Sequence, residues 1–316
     1  MSIKSSLKKQ LVSIYTEYIY RYQKHQLLHN PEVCIRSRYK KYMGEELNLT
    51  DPKTLNEKLN WLKLYWFDPE AFIGSDKYRV RELVENRGLG GILNELYAVW
   101  DSPDSIDISS LPNEFVMKTT HDSGHIAICT DKKNFDLSAT KKMFQKAMRY
   151  DYCFFSAEWP YHTEKPRIVC ERLLKDNKAG ELFDYKFYCF NGEPYCIFFA
   201  SDRKNHVKAD YYDLEWNLMP FRWRYEPSGR VYPAPERLQD MIEYAKILSK
   251  GFPFVRVDFY QANGQVYFGE LTFFHGGGYG HYQPETIDRS MGDMITLPER
   301  QDAWKTIREF YSTKGK

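Results

Sequence analysis

Two carboxylates stand where a buried strand disfavours them. Residues 254–260 read Phe-Val-Arg-Val-Asp-Phe-Tyr and 266–273 read Val-Tyr-Phe-Gly-Glu-Leu-Thr-Phe, so Asp258 and Glu270 sit among aromatic and β-branched residues. An ionised carboxylate there is costly without a partner, and a hard divalent cation such as Mg²⁺ is a natural one. The two runs flank Ala262-Asn263-Gly264, which reads as a hairpin. A two-residue Asn263-Gly264 turn pairs Asp258 with Gly269 and sends Glu270 to the opposite face. A three-residue loop with Gly264 left-handed pairs Asp258 with Phe268 and Arg256 with Glu270. Both acids then share one face with Arg256 and Thr272, as diagonal neighbours able to hold one or two cations. An Arg256–Asp258–Glu270 ion-pair cluster on a solvated face is the competing expectation.

Upstream lie groups suited to an anion. Lys118 ends the apolar run Glu114–Lys118, and Thr119-Thr120-His121-Asp122-Ser123-Gly124-His125 follows it. Small residues in such a turn let backbone N–H groups point at an anion, while the strand-end Lys adds a compact charge. The alternative is an ordinary hairpin turn, and the G-x-x-x-x-G-K-[ST] loop is absent. Lys77, in Ser75-Asp76-Lys77-Tyr78, is read at a helix start, where a cation opposes the dipole unless an anion offsets it; a solvated lysine is the alternative. Glu171 closes the apolar run 167–171 and Asp184 precedes Tyr185-Lys186-Phe187, both placed to accept hydrogen bonds from a ligand.

These groups must be held by a substantial fold. The chain has 316 residues, 42% hydrophobic and 16% aromatic, enough for one large domain or a few packed subdomains. Its 45 basic and 43 acidic residues leave a net charge of +2, so no overall field points to nucleic acid. Six cysteines form no C-x-x-C pair, which fits reduced thiols in the cytoplasm. No apolar run approaches the ~18 residues of a membrane span, and no signal peptide is evident. Residues 1–70 read as helical. Ile3, Leu7, Leu11, Ile14, Tyr18 and Tyr22 form a stripe expected to pack on the protein itself; contact of residues 3–26 with an anionic membrane surface is the alternative. A helix follows from Asp76 through Val84, then short strands from Glu114 with a hairpin at Asn191-Gly192, then a helix begun by Pro235.

Taken in order, these phrases resemble the ATP-grasp superfamily and most closely its teichuronopeptide-biosynthesis (TupA-like) branch. The matching segments are Asp76-Lys77-Tyr78 with Val80-Arg81, Phe115–Lys118, Ile168–Glu171, Asp184–Phe187, Asn191-Gly192, Arg256-Val257-Asp258 and Gly269–Phe273, spanning about 54–298. The resemblance implies an α+β fold in which two α+β subdomains sandwich ATP, behind an N-terminal helical extension. The corresponding divisions are 1–70 helical, 71–113 central, 114–178 the small subdomain with its flap, and 179–316 the large subdomain with the metal site. It implies that Lys77 and Lys118 hold ATP phosphates under the loop containing Ser123 and Gly124. Glu171 then lies by adenine, Asp184 with Lys186 near the ribose, and Asp258 and Glu270 on Mg²⁺. Arg256 steadies transition-state charge. Thr272 stands where many relatives carry Asn, which leaves the second metal position less defined.

The activity implied is amide formation between a saccharide carboxylate and a small amine by way of an acylphosphate. Arg203, Arg222, Arg224, Trp159, Tyr161 and Trp223 are candidates to bind an acidic saccharide. His275 is a candidate substrate contact and Gly277 a candidate oxyanion donor, within Phe273-Phe274-His275-Gly276-Gly277-Gly278. A sugar kinase with the same ATP site is the nearest alternative and needs a general base. A glycosyltransferase is a further one, but the chain lacks the Asp-x-Asp pair such enzymes usually want.

Overall fold

The computed structural model describes residues 3–176, 180–202 and 206–313, and the side chains from residue 11 onward. Five helices come first: α1 (Ile3–His29), α2 (Pro31–Met43), α3 (Leu55–Tyr65), α4 (Pro69–Ser75) and α5 (Val80–Asn86). Left-handed Gly44 ends α2, its N–H returning to the Lys40 carbonyl. A capping box starts α3, with Thr54 accepting from the Glu57 backbone and Glu57 reaching back, an arrangement worth about 1 kcal/mol. Two expectations change in this region. Lys77 does not open a helix; it lies in the turn between α4 and α5, where the Asp76 carboxylate accepts the N–H groups of Tyr78 and Arg79 at 2.8 and 2.9 Å. The described part of the α1 stripe does not pack inward either, since Leu11, Ile14, Tyr18 and Tyr22 are exposed. A different face of α1 does so: Glu17 bonds Arg149 and Tyr150, Tyr20 packs on Phe154, and Leu27 is fully buried.

The first sheet uses β1 (Leu96–Trp100), β2 (Phe115–Thr119), β3 (Ile126–Cys129) and, beyond helices α6 (Leu137–Ala147) and α7 (Cys153–Ser156), β4 (Ile168–Glu171). Its order is β1-β4-β2-β3, antiparallel throughout. Phe115, Met117, Ile168 and Cys170 close a small core against Phe144 of α6. Because β1 is an edge strand of this sheet, a division of the chain at residue 113 separates two strands that belong together.

The larger sheet begins with β5 (Asp184–Phe190), β6 (Glu193–Ser201) and β7 (Lys208–Tyr212). Asn191 and Gly192, with φ of 48° and 85°, make the expected turn between the first two. There follow β8 (Arg222–Trp223), α8 (Leu238–Ser249), β9 (Phe254–Ala262), β10 (Gln265–Thr272), β11 (Tyr282–Gln283), α9 (Thr286–Asp293) and α10 (Lys305–Thr313). The order is β10-β9-β5-β6-β7, with β8 and β11 paired separately. Helix α8 starts at Leu238, three residues after Pro235, and buries Leu238, Met241, Ala245 and Leu248. The class is α+β. Arg203 lies outside the described residues.

Candidate active site

The hairpin brings the two acids together by a route that neither turn length alone predicts. Asn263 and Gly264, with φ of 52° and 81°, form a two-residue turn that pairs Ala262 with Gln265. The register then runs Phe259 to Phe268, skips Gly269, and resumes as Asp258 to Glu270. Gly269 is an extra residue in β10, a bulge that moves Glu270 from the opposite face to a position directly across from Asp258. It suits glycine because a Cβ there would lie 2.9 Å from the Asp258 carbonyl oxygen.

A charged network grows from this pair. Arg256 grips Asp258 with two hydrogen bonds of 2.7 Å. Its second terminal nitrogen also lies 3.4 Å from Glu270 and 3.1 Å from the Thr272 hydroxyl. Lys186, facing Asp258 from β5, donates to the same carboxylate at 2.5 Å and stands 3.7 Å from Asp184. Burial pushes the Asp258 carboxyl up, but Arg256 and Lys186 pull it below the usual range. Burial opposes the Arg256 charge in turn, and Asp258 more than compensates. The Asp258 side chain is 2% exposed and held by both Arg256 and Lys186, whereas Glu270, which Arg256 also reaches, is 45% exposed toward the cleft.

His275 is buried beneath this network. Its Nδ1 lies 2.9 Å from Arg256 and its Nε2 2.6 Å from the Tyr188 hydroxyl. Arginine only donates, so Nδ1 accepts and Nε2 carries the proton. Burial, then Arg256, Lys186 and Arg224, hold its pKa well down. The expected substrate contact therefore becomes a brace for Arg256. Gly277 also departs from expectation: its N–H donates to the Phe274 carbonyl at 2.9 Å and is not free for an oxyanion. Its carbonyl instead accepts from the fully buried Lys63 ammonium.

On the other side of the cleft, Lys118 donates to Glu171 at 3.0 Å, and Arg81 from α5 approaches the second oxygen at 3.3 Å. Arg81 also caps the Asn94 carbonyl at 2.9 Å. The Lys77 ammonium bonds the Asp122 carbonyl, tying the 119–125 loop to the α4–α5 turn. Burial lowers the Lys77 pKa, with Glu270 and Asp122 opposing that effect. Within the loop, Asp122 takes hydrogen bonds from Thr119 and His125. A cavity of about 250 Å³ is lined by Lys77, Lys118, Ser123, Gly124, Glu171, Asp184, Lys186 and Glu270, so eight predicted residues meet on one cleft. Arg81 and Asn94 line it too and had no assigned role. Their signal was present in Val80-Arg81, a cation one turn beyond Lys77.

A second, larger cavity of about 710 Å³ opens behind the 275–280 loop. Arg222, Trp223 and Arg224 line it, together with Glu158, Gly277 and, from α2, Arg38 and Tyr42. His275 connects the two sites, its ring lying 4.2 Å from that of Trp223. Trp159 is fully buried in the core and does not reach ligand space. Glu158 and Lys63 went unread in the sequence, although each is a charge inside an aromatic run, the same signal that marked Asp258.

No curated protein sequence matches this chain. Among solved structures it is similar to the ATP-grasp ligase PsnB bound to a phosphomimetic minimal precursor, Mg and ADP, with 10% identity and a TM-score of 0.39. That match covers 79% of this chain and 62% of the other. D-alanine–D-alanine ligase from Bacillus anthracis matches at 15% identity and a TM-score of 0.36, over 70% of this chain and 60% of the other. The enzyme of that name from Helicobacter pylori matches at 11% and 0.42, over 76% and 69%. The chain thus spans about three fifths of the length of the first of these structures. The family model described as TupA-like ATPgrasp matches residues 57–296, a span holding every cleft residue named above, and the chain belongs to that family.

Proposed function

We propose that the protein is an ATP-dependent carboxylate–amine ligase that forms an amide on a sugar acid during surface-polysaccharide assembly. The observation that carries this reading is the meeting of three lysines with the exposed Glu270 in the 250 Å³ cleft. A triphosphate and an attacking carboxylate repel one another, and such a cleft offsets that repulsion. The residues fit Mg²⁺. Glu270 offers an open carboxylate and Thr272 a hydroxyl 3.3 Å from it, while Asp258 has spent three of its roughly four lone-pair sites. Mg²⁺ would supply charge neutralisation between phosphate oxygens. Lys77 and Lys118 hold phosphate, Lys186 and Asp184 flank the nucleotide, and Glu171 sets the Lys118 and Arg81 head groups. Arg256, braced by His275, faces the transferring group.

The larger cavity gives the acid substrate its place, with Arg222 and Arg224 for a carboxylate and Trp223 for a sugar face. A kinase needs a free general base, and the His275 ring is already bonded at both nitrogens. We place the protein in the cytoplasm; among the described residues no helix is long and apolar enough to cross a membrane. The exposed Leu11, Ile14, Tyr18 and Tyr22 support peripheral contact of α1 with anionic lipid. Failure to co-sediment with phosphatidylglycerol vesicles overturns that contact.

The test of the reaction incubates the protein with Mg-ATP and uronic-acid saccharides, with and without amines, and follows ADP, phosphate and product mass. Amine-dependent ADP and phosphate release is expected. A phosphorylated product without free phosphate indicates a kinase, and silence toward ATP overturns both. Asp258→Asn and Glu270→Gln are each expected to abolish turnover and leave the fold intact.

A further inference from the structure

Glu158 is a buried acid that the cleft does not use. It is 7% exposed, and among the described residues no hydrogen bond or ion pair reaches its carboxylate. Burial raises its pKa, and Lys63 first and then Arg38 pull against that rise without forming an ion pair with it. Lys63 spends its ammonium on the Gly277 carbonyl instead. The Glu158 carboxylate lines the 710 Å³ cavity, and an oxygen lies 3.6 Å from where a Cβ on Gly277 would stand. An acid nine-tenths buried, unpaired and turned toward open volume is costly unless something fills that volume.

Its surroundings say what would fill it. Tyr42, Tyr152 and Tyr279 line the same cavity, and the Tyr42 and Tyr279 rings pair at 5.0 Å. Lys63 already stands 4.6 Å from the Tyr279 ring centre and Lys41 5.3 Å from that of Tyr42, so these faces hold cations of the protein itself, and the carboxylate among them suits a further ammonium group. Arg38 stands beside them, held by the Phe154 and Phe155 carbonyls at 3.1 and 2.8 Å, and pairs with no acid among the described residues. It suits an anionic group on the same ligand.

We propose that the Glu158 corner of the larger cavity binds the amine substrate, a primary amine with its own anionic group, and that α2 closes this subsite through Arg38 and Tyr42. The assignment rests on the ligase reading, with the Arg222–Trp223–Arg224 side left to the sugar acid. Arg38 and Tyr42 precede the family-matched span, so this wall of the site is supplied by the helical extension.

The test measures binding to the full chain by saturation-transfer NMR, with the twenty standard amino acids and 2-aminoethyl phosphate as probes. At least one probe is expected to bind, and its deaminated counterpart is not. Glu158→Gln is expected to weaken that binding roughly tenfold or more, and Arg38→Ala several-fold. Mg-ATP affinity, measured separately, should change less than about twofold in both. Absence of binding by every probe, or an unchanged affinity in Glu158→Gln, overturns the proposal. Should Glu158→Gln not fold, Tyr42→Ala takes its place, and unchanged affinity there overturns the proposal equally. If the parent protein fails to bind Mg-ATP, the ligase reading fails on its own account, whatever the amine result.

Discussion

His275 accepts a hydrogen bond from the Arg256 guanidinium on Nδ1 and donates from Nε2 to the Tyr188 hydroxyl, so one neutral imidazole sets the aim of the arginine that grips Asp258. Its low pKa, caused first by burial and then by Arg256, keeps it neutral through the working range. Nitrogen-detected NMR is expected to show the Nε2–H tautomer and no His275 titration between about pH 5 and 8. His275→Ala is expected to lower kcat by roughly 10- to 100-fold with little change in the KM for ATP. A parallel rise in KM would assign the residue to nucleotide binding instead.

Gly269 is expected to be intolerant of even one methyl group. In Gly269→Ala the Cβ meets the Asp258 carbonyl oxygen at 2.9 Å, and relief requires the strands to part or the bulge to shift. A stability loss of about 1–3 kcal/mol is expected from the crowding. Turnover should fall at least about tenfold because Glu270 leaves its place opposite Asp258. Denaturant melts and ATP turnover of the same variant check both parts.

Arg81 links Glu171 to the Asn94 carbonyl along one wall of the cleft. Arg81→Ala leaves Glu171 with Lys118 alone and frees the turn before β1. A several-fold rise in the KM for ATP, with kcat changed by less than about twofold, is expected if the residue only shapes nucleotide binding. Steady-state kinetics at varied ATP separate this from a loss of transition-state contact.

The Glu158 carboxyl is raised above its ordinary 4.5, first by burial and against the pull of Lys63 and Arg38. The phenols around it, Tyr152, Tyr161 and Tyr279, are themselves raised and remain uncharged. The unfolded chain releases this proton at lower pH than the fold does, so Glu158 costs stability increasingly as pH rises from 4.5 toward its folded value. Glu158→Gln removes that slope. Thermal melts are expected to show the variant gaining more on the parent at pH 7.5 than at pH 5, and an equal difference at both would contradict the assignment.

Much of the cleft was legible because its residues announce themselves locally. Glu171 ends and Asp184 begins an apolar strand, with Lys118 and Lys186 one and two residues inside theirs, and a charge there has few purposes besides a ligand or a partner. The register of the hairpin was not legible. Pairing depends on whether Gly269 joins the ladder or bulges from it, and that is settled by contact with the Asp258 backbone, not by pattern. The role of Gly277 was misread for a similar reason: a glycine advertises conformational freedom but not which of its two polar groups turns inward. The exposed stripe of α1 shows the opposite failure, because helical periodicity reports an apolar face without saying what covers it.

Arg38 carries one more consequence. By clasping the Phe154 and Phe155 carbonyls, it fastens α2 over the 710 Å³ cavity that Arg38 and Tyr42 help to line. A shortened chain trimmed to the family-matched span would keep its phosphate-binding groups and lose that roof. On the ligase reading proposed above, such a fragment is expected to release ADP without forming product, which ADP release measured against product mass checks.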